Sequence, residues 1–160
     1  MEIQYLGDHQ NVIPVLAAWI YKEWAYLYPE MTIQYAVTLL RERINKDKLP
    51  LTLVAFEAGK PIGTVSLTTF DMETRKDVPH WLTSLYVAKQ WRRRMIGSSL
   101  VKTAEKKAVE LRICKLCLFT TDNILPESFY SKLGWIEKEK TTYHSQPVII
   151  MEKDLCLDQA

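Results

Sequence analysis

The sequence has little of the features that mark membrane, secreted and disulfide-rich proteins. Its three cysteines are an odd number, which argues against a disulfide framework. No apolar stretch approaches the roughly 18 residues that a membrane-spanning helix needs, so we expect no membrane association. The N-terminus lacks the basic start and apolar core of a signal peptide. These absences predict a protein of a reducing, cytoplasmic compartment.

Two of the cysteines have the spacing of a metal or redox motif. Cys114 and Cys117 form a C-x-x-C pair, but no second pair or histidine cluster completes a zinc site. They lie in an apolar run over 113–119, where a strand would direct the two thiols to opposite faces of a sheet. We therefore interpret both as packing residues of a strand and expect no metal.

The formal net charge of +2 is too small for a protein whose surface is dedicated to nucleic acid. A nucleic-acid site would have to use one local basic run, Trp91 to Arg94, in which an aromatic ring could stack and arginines could meet phosphates. Because no second basic cluster accompanies this run, we expect no nucleic-acid partner.

The composition is that of an ordinary globular chain, with 48% hydrophobic and 25% charged residues. No linker or repeat interrupts it, so we predict a single domain over 1–160. Apolar periodicity predicts helices at 8–27, 32–45, 96–111 and 126–132, with Asp8 and Thr32 as caps of the first two. It predicts strands at 51–56, 61–69, 80–88, 113–119, 135–139 and 148–153, the first two joined by a turn at Gly59. Antiparallel strands followed by a strand–helix–strand unit predict a mixed α/β sheet with helices packed on it.

The turn between the strand at 80–88 and the helix at 96–111 has the character of a phosphate site. Backbone amides at a helix N-terminus lack partners, and the helix dipole adds positive charge there. Arg92 to Arg94 add formal charge, Gly97 permits close approach, and Ser98 or Ser99 can donate hydroxyl groups. The GxGxxG and Walker patterns are absent, which disfavours dinucleotide and P-loop sites. The alternative is a solvated basic turn whose glycine serves packing.

The same turn resembles the signature of the GNAT (Gcn5-related) N-acetyltransferase superfamily, which is (Q/R)-x-x-G-x-(G/A) after a strand that ends in valine. Val87 ends the strand, and Arg92 and Gly97 match the outer positions of the signature. Met95 stands where the family has its first glycine. A side chain there would narrow the turn and weaken cofactor binding.

A second segment, 123–135, is similar to the family's N-x-x-A-x-x-x-Y-x-K-x-G-F motif. It departs from the motif at Pro126 and at Trp135, which replace the alanine and the final phenylalanine. The two motifs stand at the family's separation and in its order of elements. The resemblance covers about 50–153, together with the two leading helices.

The resemblance implies the acyl-CoA N-acyltransferase (GNAT) fold, a mixed, mostly antiparallel central sheet with helices on both faces and a splayed parallel strand pair. It implies direct transfer of the acetyl group from acetyl-CoA to a primary amine of a small molecule or peptide. Dimers are common in the family, so a homodimer is a further expectation. The alternative is a GNAT-like sensor that binds acyl-CoA without turnover.

The resemblance also implies a set of site residues. Tyr130 matches the family's general acid, although it could instead pack under the short helix. Asn123 matches the residue that bonds the pantetheine amide, although it could instead cap that helix. The backbone N–H of Val87 is the candidate that polarises the thioester carbonyl. The cofactor-binding residues implied are Leu85, Tyr86, Val87, Arg92, Arg93, Arg94, Met95, Ile96, Gly97, Ser98, Ser99, Asn123 and Tyr130.

The acceptor site is less defined by the sequence. Its candidate residues are Trp24, Tyr28, Glu30, His80 and Trp81, since aromatic rings suit a cationic amine by cation–π contact and suit core packing equally well. The carboxylates Glu23, Glu30, Asp71 and Glu73 could pair with a positive substrate. The strand before the turn offers no carboxylate as general base, which leaves open His80, Glu23, Glu30 or a chain of ordered water.

Overall fold

The computed structural model describes residues 1–121 and 126–156, which form one seven-stranded sheet with helices on both faces. The helices are α1 (Ile13–Trp24), α2 (Ile33–Glu42), α3 (Ile96–Glu110) and α4 (Glu127–Ser131). The strands are β1 (Glu2–Tyr5), β2 (Leu51–Glu57), β3 (Lys60–Thr68), β4 (Trp81–Val87), β5 (Lys115–Thr120), β6 (Ile136–Tyr143) and β7 (Gln146–Asp154).

The strand order is β1-β2-β3-β4-β5-β7-β6, and every neighbouring pair is antiparallel except β4 and β5. Within the described residues, the parallel pair has one registered partner pair, Trp81 with Cys117. A backbone hydrogen bond from Cys117 N to His80 O, at 3.1 Å, closes the same end. The expected mixed sheet with a splayed parallel pair is thus confirmed.

Alternation along β2 explains why helices cover both faces of the sheet. Leu53 and Ala55 point into the core that contains the apolar stripe of α3, whose members are Ile96, Leu100, Val101, Ala104 and Ala108. Val54 and Phe56 point the other way, into a core built with α1 and α2. Successive strand residues face opposite sides, so a nearly continuous apolar strand serves two layers at once.

At the ends of the leading helices, one prediction is confirmed and three are corrected. Thr32 does cap α2, since its Oγ1 accepts a hydrogen bond from Tyr35 N at 3.0 Å. Asp8 caps no α-helix: it lies in a 3₁₀ turn and pairs with Lys46 at 2.9 Å. The first helix is shorter than 8–27 because two 3₁₀ turns precede Ile13, and α2 ends at Glu42 because the chain at Ile44 bridges to Leu51. The short strand β1 was not predicted.

A disulfide joins Cys114 to Cys156 across 42 residues, with Cα atoms 5.0 Å apart, and Cys117 is buried and free. The inference from an odd number of cysteines was therefore wrong. The count excludes complete pairing but not one pair, and the bonded partner lies beyond β7, far from the C-x-x-C spacing. The packing role holds for Cys117 alone.

Among the described residues, no helix has the length and apolar character to cross a membrane, and no group of His, Cys, Asp and Glu side chains has the arrangement of a metal site.

Candidate active site

A bulge in β4 opens the sheet at its centre. Thr83 is opposite Ser66 and Tyr86 is opposite Thr64, so two residues of β4 lie opposite one residue of β3 between these pairs. Ser84 sits in this bulge with a φ of 55°. A bulge bends the strand and increases its twist, which turns β4 away from β5 beyond Trp81. The bend leaves space on both sides of Leu85.

One of these spaces is a groove of about 620 Å³ at the start of α3, which we call the α3 groove. The groove is lined by β4 residues and by most of the basic turn: Leu85, Tyr86, Val87, Trp91, Arg92, Arg93, Met95, Ile96, Gly97 and Ser98, with Glu23, Pro126 and Phe129 opposite. The hydrogen bond from Ser99 N to Met95 O, at 3.0 Å, is the first of the helix. The amides of Ile96, Gly97 and Ser98 therefore lack intrahelical partners at this end.

The basic turn is held in a conformation that is uncommon for its residues. Arg93 and Met95 have φ values of 65° and 62°, in the left-handed region that favours glycine. Met95 nevertheless exposes 72% of its surface, so its side chain extends along the groove wall into solvent. Arg92 folds back onto β4, where its Nε donates to Val87 O at 2.9 Å and its guanidinium lies 5.3 Å from the centre of the Tyr86 ring.

Gly97 keeps the groove open. A Cβ atom at this position would lie 3.3 Å from Phe129 Cζ and 3.7 Å from Val87 Cγ2, and both neighbours line the groove. Any larger side chain would therefore project into the space beside the free amides. Arg94 lies outside the groove lining, with its guanidinium 4.9 Å from the centre of the Trp91 ring. Ser99 is also outside the lining.

On the other side of the gap lies a smaller space of about 140 Å³, which we call the inner cavity. It is bounded by α1, α2, the loop before β4, and the facing parts of β4 and β5. Its polar and aromatic lining includes Trp24, Tyr28, Tyr35, Arg43, Asp71, Thr83, Ser84, Thr120 and Tyr130. Leu85 lines both the inner cavity and the α3 groove, so the two spaces adjoin at the β4–β5 gap.

Burial shapes the acid–base character of the inner cavity. Loss of water around Asp71 raises the pKa of its carboxyl group from 3.8 to about 6, although the Arg43 charge and hydrogen bonds from Thr83 and Tyr28 act in the opposite direction. Tyr28 Oη donates to Asp71 Oδ1 at 3.2 Å. Burial also lowers the pKa of Arg43 and raises the pKa of Tyr130, so the phenol of Tyr130 keeps its proton.

The structure places the predicted acceptor residues in different environments. Trp24 and Tyr28 line the inner cavity, and Glu30 lines an outer pocket that shares Tyr28 and Asp71 with it. Trp81 is fully buried, its Nε1 donates to Val78 O at 3.1 Å, and it packs in the core and lines neither space. His80 contributes the backbone carbonyl that pairs with β5. Asn123 lies outside the described residues.

Sequence reasoning missed Arg43, and it named Asp71 only as one of four carboxylates that could pair with a positive substrate, not as a candidate general base. Arg43 follows the last turn of α2, and Asp71 lies in a polar loop where nothing in the pattern separates it from its neighbours. The only signal available was the low number of carboxylates near β4, which required a base from another element.

These features define a class of protein, namely acyl-CoA-dependent acyltransferases built around a parted parallel strand pair. Residues 49–137, more than half of the chain, match the model of the acetyltransferase (GNAT) domain. The chain belongs to the GNAT family of acetyl-CoA-dependent N-acetyltransferases. No curated protein sequence matches it.

Solved structures agree on the fold. A ribosomal-protein-alanine N-acetyltransferase from Brucella melitensis is 20% identical with a TM-score of 0.76, covering 96% of this chain and 99% of its own. An aminoglycoside 6'-N-acetyltransferase from Enterococcus faecium is 20% identical with a TM-score of 0.69, covering 97% of each chain. An aminoglycoside 6'-N-acetyltransferase complexed with coenzyme A is 20% identical with a TM-score of 0.71, covering 97% of each chain. At this identity the likeness shows the fold, and the acceptor has to be argued from this chain's own residues.

Proposed function

We propose that this chain transfers the acetyl group of acetyl-CoA to a primary amine of a small molecule or peptide whose reacting end enters the inner cavity. The observation that carries the proposal is the meeting of two different spaces at Leu85. One space has free amides and arginines suited to a diphosphate, and the other has a carboxyl group and a phenol suited to proton transfer. A transferase needs a cofactor site on one side of a gap and groups for proton transfer on the other side.

The α3 groove fits coenzyme A in charge and in shape. The amides of 96–98, together with Arg92 and Arg93, would hold the diphosphate, because a helix N-terminus and fixed cations both favour an anion. Gly97 keeps this place free of side-chain atoms. The backbone of 85–87 would hold the pantetheine arm beside the gap, with the Val87 N–H as the group that polarises the thioester carbonyl. When bound, acetyl-CoA supplies an acetyl group activated as a thioester.

The inner cavity supplies the proton transfers. Asp71 has a pKa of about 6, so at neutral pH it is mostly ionised and able to accept a proton from the acceptor ammonium, directly or through one water. Tyr130 keeps its proton because burial raises its pKa. Its phenol, which lines the cavity, would therefore give its proton to the thiolate as the carbon–sulfur bond breaks. Trp24 and Tyr28 form aromatic walls that stabilise an ammonium group on the way in.

A thiol-release assay with acetyl-CoA and a panel of primary amines tests the proposal. We expect turnover by the natural sequence and a loss of about 10²-fold or more in kcat for Asp71→Asn and Tyr130→Phe, since general acid–base catalysis contributes about that much. Tyr21→Phe is the matched control, because Tyr21 is exposed on α1 and lines neither space.

The competing function is an acyl-CoA sensor without turnover. Calorimetric titration with coenzyme A separates the two readings. Tight binding of coenzyme A without turnover of any amine, in the natural sequence and in Tyr130→Phe alike, would establish the sensor and refute the transferase. The single domain, the homodimer and the cytoplasmic compartment stay predictions, and light scattering on the purified chain measures the oligomeric state.

A further inference from the structure

The inner cavity presents one anionic and one cationic side chain to whatever enters it. Asp71 and Arg43 both line it, and each shifts the pKa of the other, so they are neighbours. Across residues 1–121 and 126–156, however, the ion pairs within 4.0 Å do not include one between these two side chains. Two opposite charges that face one cavity without touching leave room for a group of the opposite sign at each.

Arg43 has hydrogen-bonding capacity to spare. A guanidinium carries five N–H donors. In the described part of the chain, its one side-chain hydrogen bond runs from Nη1 to Ser84 Oγ at 3.2 Å. Removal from water lowers its pKa, so the cation is desolvated without a carboxylate in contact. A planar fork of donors in this state matches the two oxygens of a carboxylate.

Asp71 offers the complementary end. Its Oδ1 accepts from Tyr28 Oη, which fixes the carboxyl group against the aromatic wall of the cavity. An ammonium group beside it would relieve the cost of burying its charge. Asp71 is held next to Thr83 and Arg43 next to Ser84, so the two charges approach β4 at consecutive residues, directly before Leu85 and the gap.

The inner cavity itself has room for a compact group. Its volume of about 140 Å³ is well below the roughly 300–1,000 Å³ of pockets that hold drug-sized ligands. The remaining walls are apolar and include Ile20, Met31, Leu39, Phe70, Leu118 and Phe119. Such walls suit a short hydrocarbon side chain attached close to the two charged groups.

We propose that the acceptor is an α-amino acid, or a small molecule that carries its amine and a carboxylate on the same carbon. The inference rests on the proposed function and names its substrate class. The carboxylate binds Arg43 and the ammonium faces Asp71 and the gap. A polyamine or an aminoglycoside would instead bring a further cation toward Arg43, and is disfavoured.

The reaction balances without another reactant. The acceptor ammonium loses one proton through Asp71 to solvent, and its nitrogen then forms a bond to the acetyl carbonyl carbon. The carbon–sulfur bond breaks with its electron pair on sulfur, and the second proton of the nitrogen ends on that sulfur. The products are an N-acetylamino acid and the free thiol of coenzyme A.

The test compares each standard α-amino acid with acetyl-CoA and takes the best one forward with two analogues, its carboxamide and its decarboxylated amine. We expect kcat/KM for the amino acid to exceed that for both analogues by about 10- to 100-fold, the range that a hydrogen-bonded charged pair supplies. The carboxamide is the stricter comparison, because its amine is less basic and more of it is unprotonated. Spermidine and kanamycin serve as polycationic competitors.

Arg43→Met should abolish this preference, and Arg43→Lys should restore part of it because the charge remains. Arg41→Met is the matched control, since Arg41 is exposed at the end of α2, two residues before Arg43. Thermal unfolding verifies that each variant is folded. Equal kcat/KM values for amino acid and decarboxylated amine, the same preference in Arg43→Met, or a preference for the polycations would overturn the inference while leaving the transferase intact.

If no amine is turned over, a binding experiment still distinguishes failure of the acceptor class from failure of the transferase function. Titration of amino acid into the chain saturated with coenzyme A measures the acceptor site without chemistry. Binding that depends on Arg43 in the absence of turnover would support the acceptor class and refute the transferase. Absence of amino-acid binding, with binding of other amines, would refute the acceptor class.

Discussion

Replacing Asp71 by asparagine should make the folded chain more stable at alkaline pH, although it removes a proposed catalytic group. Burial raises the folded-state pKa of Asp71 from 3.8 to about 6, so the folded state binds the proton more tightly than the unfolded state does. The contribution of this group to stability is therefore fully present below pH 3.8. It is lost as the pH rises through the window that ends near pH 6.

The size of the effect follows from the shift. A change of about two pKa units corresponds to about 3 kcal/mol at pH 8, and roughly half of this penalty is already present at pH 5. Asparagine carries no charge at either pH and avoids the penalty. The loss of the Tyr28 hydrogen bond to a charged acceptor reduces the gain, so about 3 kcal/mol is an upper value.

Urea unfolding of the natural sequence and Asp71→Asn at pH 5 and pH 8 measures the difference. Between pH 5 and pH 8, we expect the free energy of unfolding of the variant to rise relative to that of the natural sequence by about 1.4 kcal/mol. Asp47→Asn is the control, since Asp47 is exposed in the loop before β2. A variant that loses stability relative to the natural sequence as the pH rises would show that Arg43 stabilises the Asp71 anion, and would contradict this prediction.

Four further predictions concern the turn and the disulfide. Met95→Gly should raise the free energy of unfolding by about 1 kcal/mol and tighten coenzyme A binding, because the left-handed φ of 62° favours glycine; an unchanged melting temperature would contradict this. Gly97→Val should weaken coenzyme A binding by about 10-fold or more in calorimetry, at a cost of about 1.4 kcal/mol or more, because its side chain enters the groove beside Phe129, whereas exposed Lys102→Val should not. Under denaturing conditions, thiol titration should find one free thiol before reduction and all three cysteines after it. Closing 42 residues should stabilise the chain by about 4 kcal/mol, so Cys114→Ser should unfold at clearly lower urea concentration.

The sequence predicted those parts of the fold that depend on local periodicity. The stripe of α3, the β2–β3 hairpin and the turn before Ile96 all follow from spacing, and each stands where it was expected within a few residues. The cap at Asp8 failed because tertiary contacts divided the start of the first helix into 3₁₀ turns and drew Asp8 to Lys46. Local propensity is a weak guide where such contacts compete with it.

The candidate site was predictable only on its cofactor side. The turn at Arg92 to Gly97 is continuous in the sequence, so one motif contains it. The inner cavity is assembled from separate parts of the chain, namely α1, α2, the loop before β4, β4 and β5. Arg43 and Asp71 approach it at Ser84 and Thr83, at the bulge of β4. Neither residue stands out in a pattern of its own. The disulfide was also missed because it depends on tertiary structure: the pairing is set by where β7 ends in space.

The most direct test of the account is a crystal structure with coenzyme A bound. We expect the diphosphate at the amides of 96–98, the pantetheine arm along 85–87, and the thiol beside Leu85, facing the cavity that contains Asp71 and Tyr130. A thiol that points away from this cavity, or a cofactor bound outside the α3 groove, would contradict it.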